Sequence, residues 1–185
     1  MKAKNSLLSF LFFALLAGVS IFSFGKTYLG NDNTEVTEQS AGEDFETFLN
    51  KFTTSAAFQY SRVKFPLETP ITLVTDNGNE KTFPFTKERW PLLNAESFRV
   101  ERVVQEEGAV YIAHYVLDEA NHKEYEAGYE ESELDLRIIF KLIDGKWYVT
   151  DCYNAWYSFD LPVEEFQDTV AQVQEENKAF REEYP

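Results

Sequence analysis

Apolar positions along this chain fall into three regimes. From Leu7 to Phe24 they form a run without a single charge. From Phe45 to Ala56 they recur at helical spacing, with Phe45, Phe48, Leu49, Phe52 and Ala56 on one stripe. Ser40-x-x-Glu43 ahead of that stripe has the composition of a capping box. A second short helical turn is expected from Ser55 to Arg62, stopped before Pro66.

Beyond Pro66 the period falls to two, the signature of half-buried strands. Ile71 to Thr75 and Lys81 to Phe85 flank Asp76-Asn77-Gly78, residues that tolerate positive φ. Pro84 marks the second run as an edge or a broken strand. Thr86 to Trp90 reads as a helical turn. Phe98, Val100, Arg102 and Val104 alternate, as do Val110, Ile112, His114 and Val116. With Gly108 between them, they predict a hairpin with a four-residue loop. Leu134–Ile143 and Lys146–Tyr157 are joined by Asp144-Gly145, the composition of a type I′ turn. A two-residue loop fixes the register: Leu142 faces Trp147, Phe140 faces Val149, Ile138 faces Asp151 and Leu136 faces Tyr153. A long helix follows, with Asp160 as N-cap and Pro162 in its first turn. Its stripe of Val163, Phe166, Val170, Val173, Asn177, Phe180 and Tyr184 is narrow, as in a helix lying across the sheet. The same spacing fits a coiled-coil seam, with Asn177 setting register. Together these elements predict an α+β domain, a strongly curved antiparallel sheet wrapped on an N-terminal helix, with a long C-terminal helix.

The first apolar run reads differently once charge is included. Lys2 and Lys4 precede it, and Ser23-Phe24-Gly25 places small residues at the −3 and −1 positions of a cleavage site. This predicts a signal peptide over residues 1–25 and export to the periplasm or cell envelope. The run approaches the length that spans a bilayer, so an uncleaved anchor is the rival reading. Gly18, Ser20 and Ser23 interrupt its distal half and favour cleavage. Residues 26–41 are polar and read as a flexible tether, leaving 42–185 as one domain. Cys152 is the one cysteine. No intrachain disulfide can form, and its strand-like surroundings point to a buried, inert thiol.

Formal net charge is −15, and loss of Lys2 and Lys4 with the leader takes it to −17. Such a surface repels phosphate backbones, which argues against nucleic acid as a partner. Nucleophile elbows, phosphate loops, zinc spacings and dinucleotide fingerprints are absent, which argues against hydrolase, kinase, metalloprotease and oxidoreductase classes.

Asp44-Phe45-x-x-Phe48, and Phe58-Gln59-x-Ser61-Arg62-Val63-x-Phe65-Pro66-Leu67 after it, carry a resemblance. The chain resembles an uncharacterised family of exported Bacteroidetes proteins (domain of unknown function 4348). Its members adopt the cone-shaped fold of the nuclear transport factor 2-like and cystatin-like class. The resemblance spans most of residues 43–160. It implies a concave sheet face, and homodimers paired through a sheet face, but no activity. The fold class hosts isomerases, dehydratases, ligand-binding modules and structural pairs alike.

Asp151 is the sharpest site candidate. On an apolar sheet face its carboxyl would have a raised pKa, suited to a general base or a ligand-gripping acid. A structural Asp with buried hydrogen-bond donors is the alternative. Tyr153 and His114 complete the expected ligand-binding set, although His114 beside Val110, Ile112 and Val116 also fits a buried, satisfied histidine. Asp118 to Asp135 is rich in acids, includes His122, and reads as a solvated loop, since it lacks the spacing and glycine of a calcium site. Arg62 reads as a guanidinium anchoring helix to sheet, and Arg99, Arg102 and Arg137 as strand residues over exposed sheet. No metal, cofactor or catalytic residue is expected. The expected function is a non-catalytic binding or interaction module for a small ligand or an envelope protein. The alternative is an isomerase- or dehydratase-like enzyme using Asp151.

Overall fold

The structure, a computed structural model, describes residues 42–105 and 108–184. The expected signal peptide, its anchor alternative and the tether lie outside the described residues. The elements are α1 (Phe45–Thr53), α2 (Ala56–Ser61), β1 (Ile71–Val74), β2 (Glu80–Phe83), β3 (Glu101–Val104), β4 (Val110–Asp118), β5 (His122–Tyr129), β6 (Leu134–Ile143), β7 (Lys146–Asn154) and α3 (Phe166–Glu183). Strands β3 to β7 form one antiparallel sheet in sequence order, and β1–β2 is a separate hairpin. No helix among the described residues is long and apolar enough to cross a membrane.

Helix α1 begins one residue after Asp44, whose carboxylate accepts the Thr47 N–H at 2.8 Å. Asp44, not Ser40, therefore caps it, and Ser40 lies outside the described residues. Glu43 is free for another task. Its carboxylate takes Arg62 through both guanidinium nitrogens, at 2.7 and 3.1 Å, and the Trp147 N–H at 3.0 Å. Burial opposes ionisation of Glu43, but these donors hold its carboxyl below the usual range. Arg62 thus anchors the start of the domain to β7, as its sequence context implied. The helical stripe breaks at Thr54, so Ala56 belongs to α2, capped by Ser55. Phe45, Phe48 and Phe52 set their rings around Phe140 of β6 at centroid distances of 5.3, 5.8 and 6.1 Å, edge-on. This aromatic cluster joins helix to sheet.

The Asp144-Gly145 turn has φ of 50° and 74°, the left-handed pair that a type I′ turn requires. Leu142 pairs with Trp147 and Phe140 with Val149, as the loop length dictates. A β-bulge at Thr150 then shifts the register, so Ile138 pairs with Cys152 and Leu136 with Asn154. From that point the side-chain parity of β7 is reversed.

Three further expectations are corrected. Phe98 closes a 3₁₀ turn, Ala95–Phe98, and packs inward. The loop between paired Val104 and Val110 spans residues 105–109, one longer than expected. The acidic stretch after Asp118 is mostly β5, a central strand with Tyr125 and Ala127 buried, and His122 opens it. Its outward Glu124 and Glu126 face Arg137 at 2.5 and 3.6 Å, so cross-strand pairing keeps the acids in a sheet.

Helix α3 does not lie across the sheet, and its N-terminus is not capped by Asp160. A 3₁₀ turn, Val163–Glu165, leads into it. Its apolar face rests instead on the end of β2 and the segment that follows: Phe166 stacks on Phe83, the last residue of β2, at 4.1 Å. Asn177 is a buried bridge, accepting the Leu92 N–H at 2.7 Å and donating to the Trp90 carbonyl at 2.8 Å.

Candidate functional site

Strands β4 and β5 carry the same pattern, Tyr111-x-Ala113-x-Tyr115 and Tyr125-x-Ala127-x-Tyr129. Antiparallel pairing lays the two copies on each other: Tyr111 on Tyr129, Ala113 on Ala127, Tyr115 on Tyr125. The tyrosine pairs meet edge-on at 5.2 and 5.3 Å. Between them the alanines, both buried, leave a trough that larger side chains would fill. The same row continues across the concave face from Glu101 through Ala113, Ala127 and Leu136 to Asn154. Above it opens a cavity of about 270 Å³, roofed by Pro91, Leu92 and Leu93.

Polar groups converge on this cavity, and three of them, Glu96, Arg99 and Glu101, are charged. The Tyr125 hydroxyl donates to the Arg99 carbonyl at 3.2 Å. Burial, with Tyr111 and Glu101 nearby, pushes that phenol up to about 12. The Tyr111 hydroxyl is also raised, by burial first and then by the Asp135 and Glu101 carboxylates. Both phenols are therefore neutral near pH 7. Asn154 is 9% exposed, and its Oδ1 accepts the Trp156 N–H at 3.0 Å. Its amide NH₂ has no protein partner among the described residues. At the mouth, Arg99 lies 3.7 Å from Glu96 and 3.4 Å from Glu101. Among the described residues, no buried carboxylate lines the cavity.

The three expected site residues are not brought together. The β-bulge turns Asp151 to the outer face, opposite Ile139 rather than Ile138. It is buried there beneath the segment before β1, its two oxygens accepting the Thr69 N–H at 3.0 Å and the Thr69 hydroxyl at 2.7 Å. Tyr153 lies on the same outer face opposite Arg137, and lines a second, mostly apolar cavity of about 240 Å³ with Ile71, Phe85, Cys152 and Tyr157. His114 is exposed on the outer face opposite Glu126, since Tyr111, Ala113 and Tyr115 take the inner positions of β4. Cys152 is buried, and burial with the adjacent Asp151 charge pushes its thiol far up, which makes it inert. Among the described residues, no group of three or more His, Cys, Asp or Glu side chains is placed to hold a metal ion.

Sequence reasoning passed over the residues that build the cavity. The repeated Tyr-x-Ala-x-Tyr was the available signal, because a small residue between large ones at period two marks a hollow on one face.

A protein-family model matches residues 43–181. The crystal structure of a cystatin-like protein from Bacteroides caccae is 60% identical, covers 79% of this chain and 98% of that one, and superposes with a TM-score of 0.76. The chain belongs to that cystatin-like family. NMR structures of proteins from Bacteroides uniformis and Bacteroides ovatus, each 60% identical, give TM-scores of 0.73 and 0.74. They cover 78% and 83% of this chain and 98% and 100% of their own. None of the curated proteins matches. The cystatin-like relationship agrees with the α+β architecture and the curved antiparallel sheet over α1.

Proposed function

We propose that this protein is an exported, non-catalytic binding module of the cell envelope, and that its ligand occupies the concave cavity over Ala113 and Ala127. The observation that carries the reading is that cavity: about 270 Å³, near the lower end of small-molecule sites, lined by aromatic, apolar and amide groups with Glu96, Arg99 and Glu101 beside them. The enzyme alternative required Asp151 to face the same space, and Asp151 is instead hydrogen-bonded to Thr69 on the other side of the sheet. Export is supported by the Lys2 and Lys4 flank, the apolar run and the small residues before Lys26. The finer kinship, with the domain of unknown function 4348 and the nuclear transport factor 2-like cone, is supported by the Phe58–Leu67 run. Within this reading the partners are a small ligand or another envelope protein, and a second copy paired through a sheet face. A net charge of −15 disfavours nucleic acid.

Intact and native mass spectrometry of protein purified from the envelope fraction tests both halves. The denatured mass should begin at Lys26; a mass that includes residues 1–25 means an anchor. The native spectrum should show a small non-covalent adduct that Ala127→Leu, which fills the trough, removes. An adduct unaffected by that change, or no adduct at all, refutes the cavity as the site.

A further inference from the structure

Aromatic rings carry negative quadrupole potential on their faces, and three aromatic side chains line the cavity. Tyr111, Tyr125 and Trp156 are among its lining residues, and burial keeps both phenols neutral near pH 7. Charge at the opening is unbalanced in the same direction. Glu96 and Glu101 stand at the mouth with Arg99 as the one cation among the lining residues, and Arg99 is already shared between them. Asp135 adds a further carboxylate near Tyr111. A carboxylate ligand would meet this excess of negative charge, whereas an ammonium would meet aromatic faces inside and acids at the rim. The floor adds one more element: the nine-tenths-buried Asn154 has an amide NH₂ without a protein partner, suited to an acceptor on the ligand.

We propose that the concave cavity takes a small organic cation, an ammonium group on an apolar or aromatic body that also carries a hydrogen-bond acceptor. This rests on the cavity being the binding site, as proposed above. Apolar contact comes from Leu93, Ala113, Ala127 and Leu136, and the volume limits the ligand to a single-ring compound or its equivalent. Cation–π contact and the rim carboxylates supply the selectivity for positive charge.

A matched pair of probes separates the two ideas. The ¹⁵N-labelled protein is titrated with 2-phenylethylamine and with 2-phenylethanol, its uncharged counterpart, while the amide signals of Ala113 and Ala127 are followed. The amine is expected to bind at least tenfold more tightly than the alcohol. Glu101→Gln should shrink that ratio to about threefold or less, with the amide spectrum otherwise unchanged. Ala127→Leu should abolish binding of both probes. Equal affinity for amine and alcohol overturns the cation and leaves the cavity reading standing, as does tighter binding of 3-phenylpropionate. No shift at Ala113 or Ala127 with any probe overturns the inference together with the cavity reading.

Discussion

Gln59 offers the most demanding test of how this domain holds together. Its side chain is fully buried, and all four of its hydrogen-bonding positions are used. Nε2 donates to the carbonyls of Phe52 at 2.6 Å and Leu93 at 2.9 Å, while Oε1 accepts the Trp90 indole N–H at 2.8 Å and the Leu93 N–H at 2.9 Å. One amide therefore closes the C-terminal end of α1 and fixes the segment that roofs the cavity. Gln59→Leu keeps most of the volume but strands two donors and two acceptors. Each stranded donor costs about 1–3 kcal/mol, carbonyls less because they tolerate poorer satisfaction. The added apolar contact returns about 1 kcal/mol, so the net loss should be roughly 3–4 kcal/mol, a large share of a typical domain stability. Urea denaturation followed by far-UV circular dichroism measures it, with the slope checked for change. Gln59→Glu supplies the sign. At neutral pH a carboxylate would face two carbonyls, and the deficit should shrink as acidification protonates it. A Leu variant within 1 kcal/mol of the parent, or a Glu variant whose deficit ignores pH, would refute the reasoning.

Two further outcomes follow from named contacts. Asp151→Asn leaves one Thr69 donor unpaired, so stability should fall by about 1–3 kcal/mol while ligand binding is unchanged; unchanged stability with weakened binding would return Asp151 to the site. Glu43 has a folded-state pKa held below its ordinary 4.5, so its contribution is complete above that value and is lost as pH falls through the folded pKa. Stability against pH should therefore drop below about pH 4.5, and Glu43→Gln should flatten that drop while lowering stability near pH 7. Identical acid slopes for the two proteins would contradict the assignment.

Legibility in the sequence stopped at the irregularities of the sheet. The Asp144-Gly145 pair is a local signal, and its register held for Leu142–Trp147 and Phe140–Val149. One extra residue at Thr150 then reversed the parity, and it moved Asp151 and Tyr153 to the outer face while bringing Cys152 and Asn154 inside. A bulge has no dependable composition, so period-two reasoning carries its error to the strand's end. His114 failed for a related reason: Val110, Ile112 and Val116 made the outer side of β4 look like the core side. The inner side is tyrosine and alanine, which hydropathy ranks lower although it is the more buried side. Strand β5 was hidden because Glu124 and Glu126 suggest solvent, and their partner Arg137 lies on the next strand. The capping box failed because Asp44 sits beside Glu43 and both types suit a helix start. Nothing in a short window shows that Glu43 is held by Arg62 and Trp147 far along the chain.

The placement of α3 ties down the segment that roofs the cavity. A helix lying across the sheet would compete with a ligand for the concave face. Here it rests on the segment after β2, and Asn177 grips that segment at Trp90 and Leu92 while Gln59 of α2 grips it at Trp90 and Leu93. The roof of the cavity is thus fixed by buried side-chain amides from two helices, both fully enclosed, and its floor by the paired alanines. In the proposed binding reading, a roof and floor held in this way lower the ordering cost that a ligand would otherwise meet. The arrangement also explains why polar residues occupy two of the most buried positions in the domain. A leucine at either would pack, but it would let go of the loop that shapes the cavity. If the cavity is the binding site as proposed, changes at Gln59 or Asn177 should weaken binding even where the domain still folds.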